Sequence, residues 1–218
     1  MDTIIFDLDG TLVQSVQMDS ELYVQAVREV LGAVRVHDTW ESYEHVTDSG
    51  ILREILAEAA PRNHESLALQ VRNRFAELVT GAVRARPPLP VEGAVAMLDD
   101  YRSRRNWQVG IATGGWRSTA EAKLKNVGIT PEGLELCTAD DHFERTSIMK
   151  LCHGRLRQSD RRPIYVGDGP WDLQAATQLG WGFVAIGSRL RGLHSPWIAN
   201  YGDPAWSEAI EKALEPNG

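Results

Sequence analysis

The run Ile4-Ile5-Phe6-Asp7-Leu8-Asp9-Gly10-Thr11-Leu12 places two carboxylates one residue apart at the end of an apolar stretch, with a glycine directly after them. On a strand, positions i and i+2 share a face, so Asp7 and Asp9 would present to one site. Gly10 frees the backbone to turn sharply there. Paired carboxylates at a strand tip suit metal binding, nucleophilic attack and proton transfer. Aspartates also close strands as turn formers or helix caps, and from this segment alone that reading stays open. A calcium-binding helix-loop-helix does not fit. With Gly10 as its glycine, the loop needs a Glu at position 16, where the chain has Val16.

Two further blocks repeat the design. Pro163-Ile164-Tyr165-Val166-Gly167-Asp168-Gly169-Pro170-Trp171-Asp172 is a short β-rich run ending in Gly-Asp, with a second Asp four residues later. A helix beginning near Pro170 would put Asp168 at a strand tip and Asp172 in the first helical turn, both able to converge on one cation. Gln108-Val109-Gly110-Ile111-Ala112-Thr113-Gly114-Gly115 ends in a hydroxyl followed by two glycines, whose amides form a natural phosphate cradle.

Together these blocks resemble the haloacid dehalogenase-like hydrolase superfamily, most closely its phosphoglycolate-phosphatase-like and phosphoglucomutase-like branch. The resemblance runs from Thr3 to about Ser188. It rests on Asp7-Leu8-Asp9-Gly10-Thr11-Leu12, on Thr113, and on Gly167-Asp168-Gly169-Pro170-Trp171-Asp172. The family's basic residue, commonly a Lys before a Pro, departs from its usual form. Arg145 stands at the expected offset and is the preferred candidate; Lys150 is the alternative, more in keeping with a solvated helix position.

The resemblance implies a role for each residue. Asp7 would be the nucleophile, forming an aspartyl-phosphate. Asp9 would protonate the departing alcohol and then act as base on the water that hydrolyses the intermediate. Mg²⁺ would be held by Asp7, the Asp9 carbonyl and Asp168, with Asp172 in direct or indirect contact. Thr113 and the Gly114 amide would hold phosphoryl oxygens, and Arg145 would offset the charge of Asp7 and the phosphate. Family dehalogenases use the same nucleophile without the second acid or a metal, so Asp9, Asp168 and Asp172 favour phosphoryl chemistry.

The elements that must position these groups follow from the pattern. Strands are expected at Thr3–Phe6, Trp107–Ala112, Leu134–Thr138, Ile164–Val166 and Phe183–Ile186, separated later in the chain by helices. That alternation predicts an α/β fold with a doubly wound, Rossmann-like parallel sheet, whose ligands sit at the carboxyl ends of strands. The resemblance implies the strand order 5-4-1-2-3. Residues 16–86 interrupt the alternation with three helical stripes: Val16, Tyr23, Val27 and Leu31; Ile51, Leu52, Ile55, Leu56 and Ala59; and Leu67, Val71, Phe75, Leu78, Val79 and Ala82. Arg86-Pro87-Pro88-Leu89-Pro90 stiffens the return. The expected organisation is a core of residues 1–15 and 87–218, with a helical cap of residues 16–86 and hinges near Gln14–Ser15 and Ala85–Pro88.

Bulk properties bound the function. The chain has 218 residues, 43% hydrophobic and 24% charged, enough for one domain with an insertion. A formal net charge of −7 argues against nucleic-acid or anionic-membrane partners and leaves a small phosphorylated metabolite as the expected one. Cys137 and Cys152 read as reduced core thiols. Acids at Asp2, Asp7 and Asp9 oppose a signal peptide, so the cytoplasm is the expected location. The remaining histidines, His37, His45, His64, His153 and His194, show no metal-ligand spacing; His142, in a loop near the strand tips, reads as a surface-loop residue that could also touch substrate. Trp116 and Trp171 each follow a motif and could wall the site or pack on the sheet. Arg53 resembles the family's substrate-contacting cap arginine and equally fits a solvated helix. The leading function is a Mg²⁺-dependent phosphatase of a small organic phosphomonoester; the alternatives are a sugar-phosphate mutase and a phosphate-responsive regulatory protein. Sequence leaves the oligomeric state open.

Overall fold

Apolar residues recur along the strands with no polar alternation, as a sheet covered on both faces requires. The computed structural model describes residues 1–59, 62–156 and 161–215 and places them around such a sheet. Its strands are β1 (Asp2–Phe6), β2 (Trp107–Ala112), β3 (Glu135–Cys137), β4 (Ile164–Gly167), β5 (Gly182–Ile186) and β6 (Trp197–Ile198). All pair in parallel, in the order β3-β2-β1-β4-β5-β6. The implied order 5-4-1-2-3 is therefore present, extended by a two-residue sixth strand that the sequence reading did not include. β1 is central: Phe6 lies beside Ile111 on one side and Val166 on the other. That register brings the ends of three strands, and the residues after them, to one edge.

The pleat sorts the core into two layers. Ile4 and Phe6 face one layer with Val109, Ile111, Val166 and Val184, covered by α4 (Ala94–Ser103), α5 (Arg117–Asn126) and α8 (Trp206–Leu214). Ile5 faces the other layer with Ala112, Tyr165 and Phe183, covered by α6 (Arg145–Arg155) and α7 (Pro170–Leu179).

Between β1 and β2 the chain forms α1 (Val16–Leu31), a short helical turn at Trp40–Ser42, α2 (Asp48–Ala59) and α3 (His64–Ala85). Their stripes meet in a separate apolar cluster that includes Tyr23, Val27, Ile51, Ile55, Val71, Phe75 and Val79. Of the expected stripe residues, Ala59 is exposed. Two residues from the sheet side, Trp116 and Ala139, join this cluster and tie it to the strands. The entering and returning segments run side by side, with Gln14 N–H donating to Leu89 O at 2.9 Å and Val91 N–H to Leu12 O at 2.9 Å. Among the described residues, no helix is long and apolar enough to cross a membrane.

Candidate active site

The turn after β1 depends on Gly10. Its φ is +83°, and a Cβ there would overlap the Asp168 carboxylate. A side chain would thus meet both a disfavoured backbone conformation and a collision. The same economy of space holds after β4, where a Cβ on Gly167 would overlap Asp172. Asp172 sits in the first turn of α7 and accepts the Gly169 N–H at 3.0 Å, which fixes the entry of that helix.

These turns gather the carboxylates of Asp7, Asp168 and Asp172, which each offer an oxygen within 4.8 Å of the others. All three are buried. Arg145, at the start of α6, lies among them: its Nη1 is 3.1 Å from Asp7 Oδ1 and 2.8 Å from Asp172 Oδ1, and its Nη2 donates to Val46 O at 2.9 Å. Lys150 is exposed on the same helix. Of the two basic candidates, Arg145 is the one that meets the acids. Burial disfavours the guanidinium charge, but Asp172, Tyr165 and Asp7 more than offset that and hold its pKa above the ordinary arginine value.

Arg145, with Arg189 on Asp168, does not neutralise all three carboxylates. Burial first, then the charges of Asp172 and Asp9, push Asp7 up to about 8 despite Arg145. Burial and Asp7 push Asp168 up to about 7, and burial, opposed by Arg145, leaves Asp172 raised to about 6. Asp168 Oδ2 takes an ion pair from Arg189 at 3.1 Å, while its Oδ1 is buried with no hydrogen-bond partner among the described residues. Crowded, proton-hungry oxygens with an orphan among them are what a hard divalent cation satisfies. The donor set therefore fits Mg²⁺.

Asp9 is treated differently. Burial raises its pKa, but the Lys123 charge and hydrogen bonds from Asp19, Lys123 and Ser15 outweigh that and hold it below the usual carboxylate range. Lys123 Nζ lies 2.5 Å from Asp9 Oδ1 and 2.5 Å from Asp19 Oδ2, and the Ser15 hydroxyl also bonds to Asp9 Oδ1. Lys123 is only 1% exposed. Sequence reasoning missed it, as it missed Asp19 and Arg189.

Asp7, Asp9, Thr113, Gly114 and Arg145 line one cavity of about 100 Å³, together with residues of α1 and α2 and with Trp171. The Thr113 hydroxyl accepts the Gly115 N–H at 3.1 Å, while the Gly114 N–H has no acceptor among the described residues. Two sequence candidates lie outside this lining. Trp116 is buried between Tyr23 and Phe75, and its indole N–H donates to Ser49 Oγ at 2.8 Å, so it packs and anchors. Arg53 is exposed on α2 with its guanidinium 4.2 Å from the centre of the Phe143 ring. His142 stacks on Phe143 and accepts the Glu144 N–H at 3.0 Å.

The parallel sheet thus presents aspartates after β1 and β4 and a threonine after β2, the strand beside β1 on the other side, at one edge. The family model for haloacid dehalogenase-like hydrolases matches residues 1–180, and the chain belongs to that family. Comparison with curated proteins gave no relative. Solved structures share the fold. A β-phosphoglucomutase from Clostridium difficile is 16% identical with a TM-score of 0.75, over 98% of this chain and 97% of that one. A hydrolase from Pseudomonas syringae is 20% identical with a TM-score of 0.70, over 98% and 90%. A protein from Haemophilus somnus described as a predicted phosphoglycolate phosphatase is 15% identical with a TM-score of 0.66, over 95% and 98%.

Proposed function

We propose that this hydrolase is a Mg²⁺-dependent phosphatase that acts on a small organic phosphomonoester through an aspartyl-phosphate on Asp7. The observation that carries the reading is the convergence of Asp7, Asp168 and Asp172 beside β1, with Arg145 paired to Asp7 and Asp172 and with Asp7, Arg145 and Thr113 lining one cavity. Asp7 Oδ would attack phosphorus as the bond to the alcohol oxygen breaks, and Asp9 would give that oxygen its proton. Asp9 would then take a proton from water, whose oxygen bonds to phosphorus as the Asp7–phosphorus bond breaks and inorganic phosphate departs. Lys123 and Ser15 favour the ionised Asp9 used in this second step. Thr113, the Gly114 amide and Arg145 would hold the phosphoryl oxygens where negative charge develops. Mg²⁺, held by Asp7, the Asp9 carbonyl, Asp168 and Asp172, would supply positive charge against the repulsion between carboxylate and phosphate.

The inserted helices would serve as a cap. They border the cavity, so movement at Gln14–Ser15 and Ala85–Pro88 would admit small substrates and exclude bulk water during reaction. This supports small metabolites over phosphoproteins or nucleic-acid ends. The test is p-nitrophenyl phosphate turnover with and without chelator, alongside Asp7→Asn. Activity should vanish with chelator, return with Mg²⁺, and fall below a few per cent in the variant. Full activity in chelator would remove the metal from the mechanism, and a well-preserved rate in Asp7→Asn would remove the covalent step.

A further inference from the structure

The cavity described above has a phosphoryl end built from Asp7, Thr113, Gly114 and Arg145. Much of the rest of its lining comes from the inserted helical segment, including Asp19, Ser20, Tyr23, Trp40 and Asp48. In the proposed reaction this second part surrounds the alcohol. Its chemistry is one-sided. Among the described residues lining the cavity, Arg145 is the one cation, and Asp7 and Asp172 already hold it. Lys123 lies outside the lining, enclosed by Asp9 and Asp19.

The acids there are less well served. Asp48 Oδ2 accepts the Trp116 N–H at 2.9 Å, and its Oδ1 has no partner among the described residues. Asp19 Oδ2 is paired with Lys123 at 2.5 Å, and its Oδ1 is buried without a partner among the described residues. Tyr23 and Trp40 meet edge to face at 5.8 Å beside them, presenting aromatic surface. Burial pushes Asp48 up to about 7, so an ammonium placed beside it draws it into the ionised form, and charge, hydrogen bonding and the ring quadrupole then favour that ammonium. A carboxylate there would lie in the same low-dielectric space with no uncommitted cation among the lining residues to meet it. The adjoining cavity shares Val46, Arg145 and Trp171 and carries Glu41, Glu44 and Glu144 along with His45.

We infer that the substrate is a phosphomonoester of an amino alcohol, with Asp48 as the main amine receptor and Asp19 supporting it. This rests on the phosphatase reading and extends it to the leaving group.

Three two-carbon esters that differ only at the terminal group isolate the inference: 2-aminoethyl phosphate, 2-hydroxyethyl phosphate and carboxymethyl phosphate. With Mg²⁺ present, kcat/KM should be at least about tenfold higher for the amine than for the hydroxyl ester, and lowest for the carboxylate. Asp48→Asn should shrink the amine preference to within about threefold, and raised salt should shrink it in the wild-type enzyme. The wild-type ranking is decisive even if the variant folds poorly. Equal rates for the amine and hydroxyl esters, or a faster carboxylate ester, would overturn the inference while p-nitrophenyl phosphate turnover keeps the phosphatase reading intact. A preference undiminished in soluble, folded Asp48→Asn would also overturn the assignment of the receptor. No turnover of any ester, p-nitrophenyl phosphate included, would defeat the phosphatase reading and this inference with it.

Discussion

At the residue scale, the two acids of the opening motif have opposite surroundings. Asp7 sits among carboxylates that raise its pKa, while Asp9 sits on Lys123, which lowers it. Removing a partner from a buried ion pair leaves uncompensated charge and costs about 3–5 kcal/mol. Lys123→Met should therefore lower the urea midpoint clearly. It should also move the acidic limb of aspartyl-phosphate hydrolysis to higher pH, because Asp9 loses its main charge partner. An unchanged limb in a folded variant would separate Lys123 from proton transfer. Arg145→Ala should reduce kcat at least about a hundredfold, the scale for losing a donor to a developing oxyanion, with Lys150→Ala within about twofold of wild type. Equal damage from both substitutions would put the basic role elsewhere. Sequence pointed to Arg145 through its offset from Asp168. It could not point to Lys123, because Glu121-Ala122-Lys123-Leu124-Lys125 reads as an ordinary solvated helix face. Nothing local distinguishes the buried Lys123 from the exposed Lys125; the difference comes from Asp9 and Asp19, more than a hundred residues earlier.

At the scale of the element, the strand ends were legible, and of the two edge strands β3 was and β6 was not. β1, β2 and β4 are apolar runs stopped by Asp or Thr and then Gly, which is a change of composition a reader can see. β6 has two residues and depends on pairing of Ala185 with Trp197 and of Ile186 with Ile198, a contact with no sequence periodicity. The helices of the insertion were legible as stripes, because each buries one face in a common cluster. Their N-terminal acids were less so: Asp19 and Asp48 look like ordinary first-turn residues, yet both line the cavity. The turn after β1 offers the sharpest test of how backbone positions chemistry. Gly10→Ala should destabilise the fold by more than the ordinary helix-propensity scale of about 1 kcal/mol, because a positive φ and a collision with Asp168 act together. Activity should fall with it, and added Mg²⁺ should stabilise this variant less than wild type in thermal melts. An equal Mg²⁺ gain in both would show that Asp168 keeps its place without Gly10.

At the scale of the whole molecule, the buried acids couple stability to pH and to metal. The folded pKa of Asp7 is about 8 and those of Asp168 and Asp48 are about 7, against an ordinary value of 3.8, with burial as the largest cause in each case. A carboxyl raised in the folded state binds its proton more tightly there than in the unfolded chain. Its contribution to stability is complete below the unfolded value and is lost as pH rises through the folded one. With chelator present, the urea midpoint should therefore fall between pH 6 and pH 8.5. Asp48→Asn should flatten part of that fall, because an amide takes the Trp116 N–H without titrating. Mg²⁺ bound only by the folded state adds RT ln(1 + [L]/Kd), about 2.7 kcal/mol at a hundredfold excess over Kd. It competes with protons for Asp7, Asp168 and Asp172, so the gain should be larger at pH 8.5 than at pH 6. Denaturation curves at the two pH values, with Mg²⁺ and with chelator, measure both effects. A midpoint independent of pH in chelator would show that these carboxyls are not raised in the folded protein, and a Mg²⁺ gain larger at pH 6 would show that the ion binds outside the three-aspartate cluster.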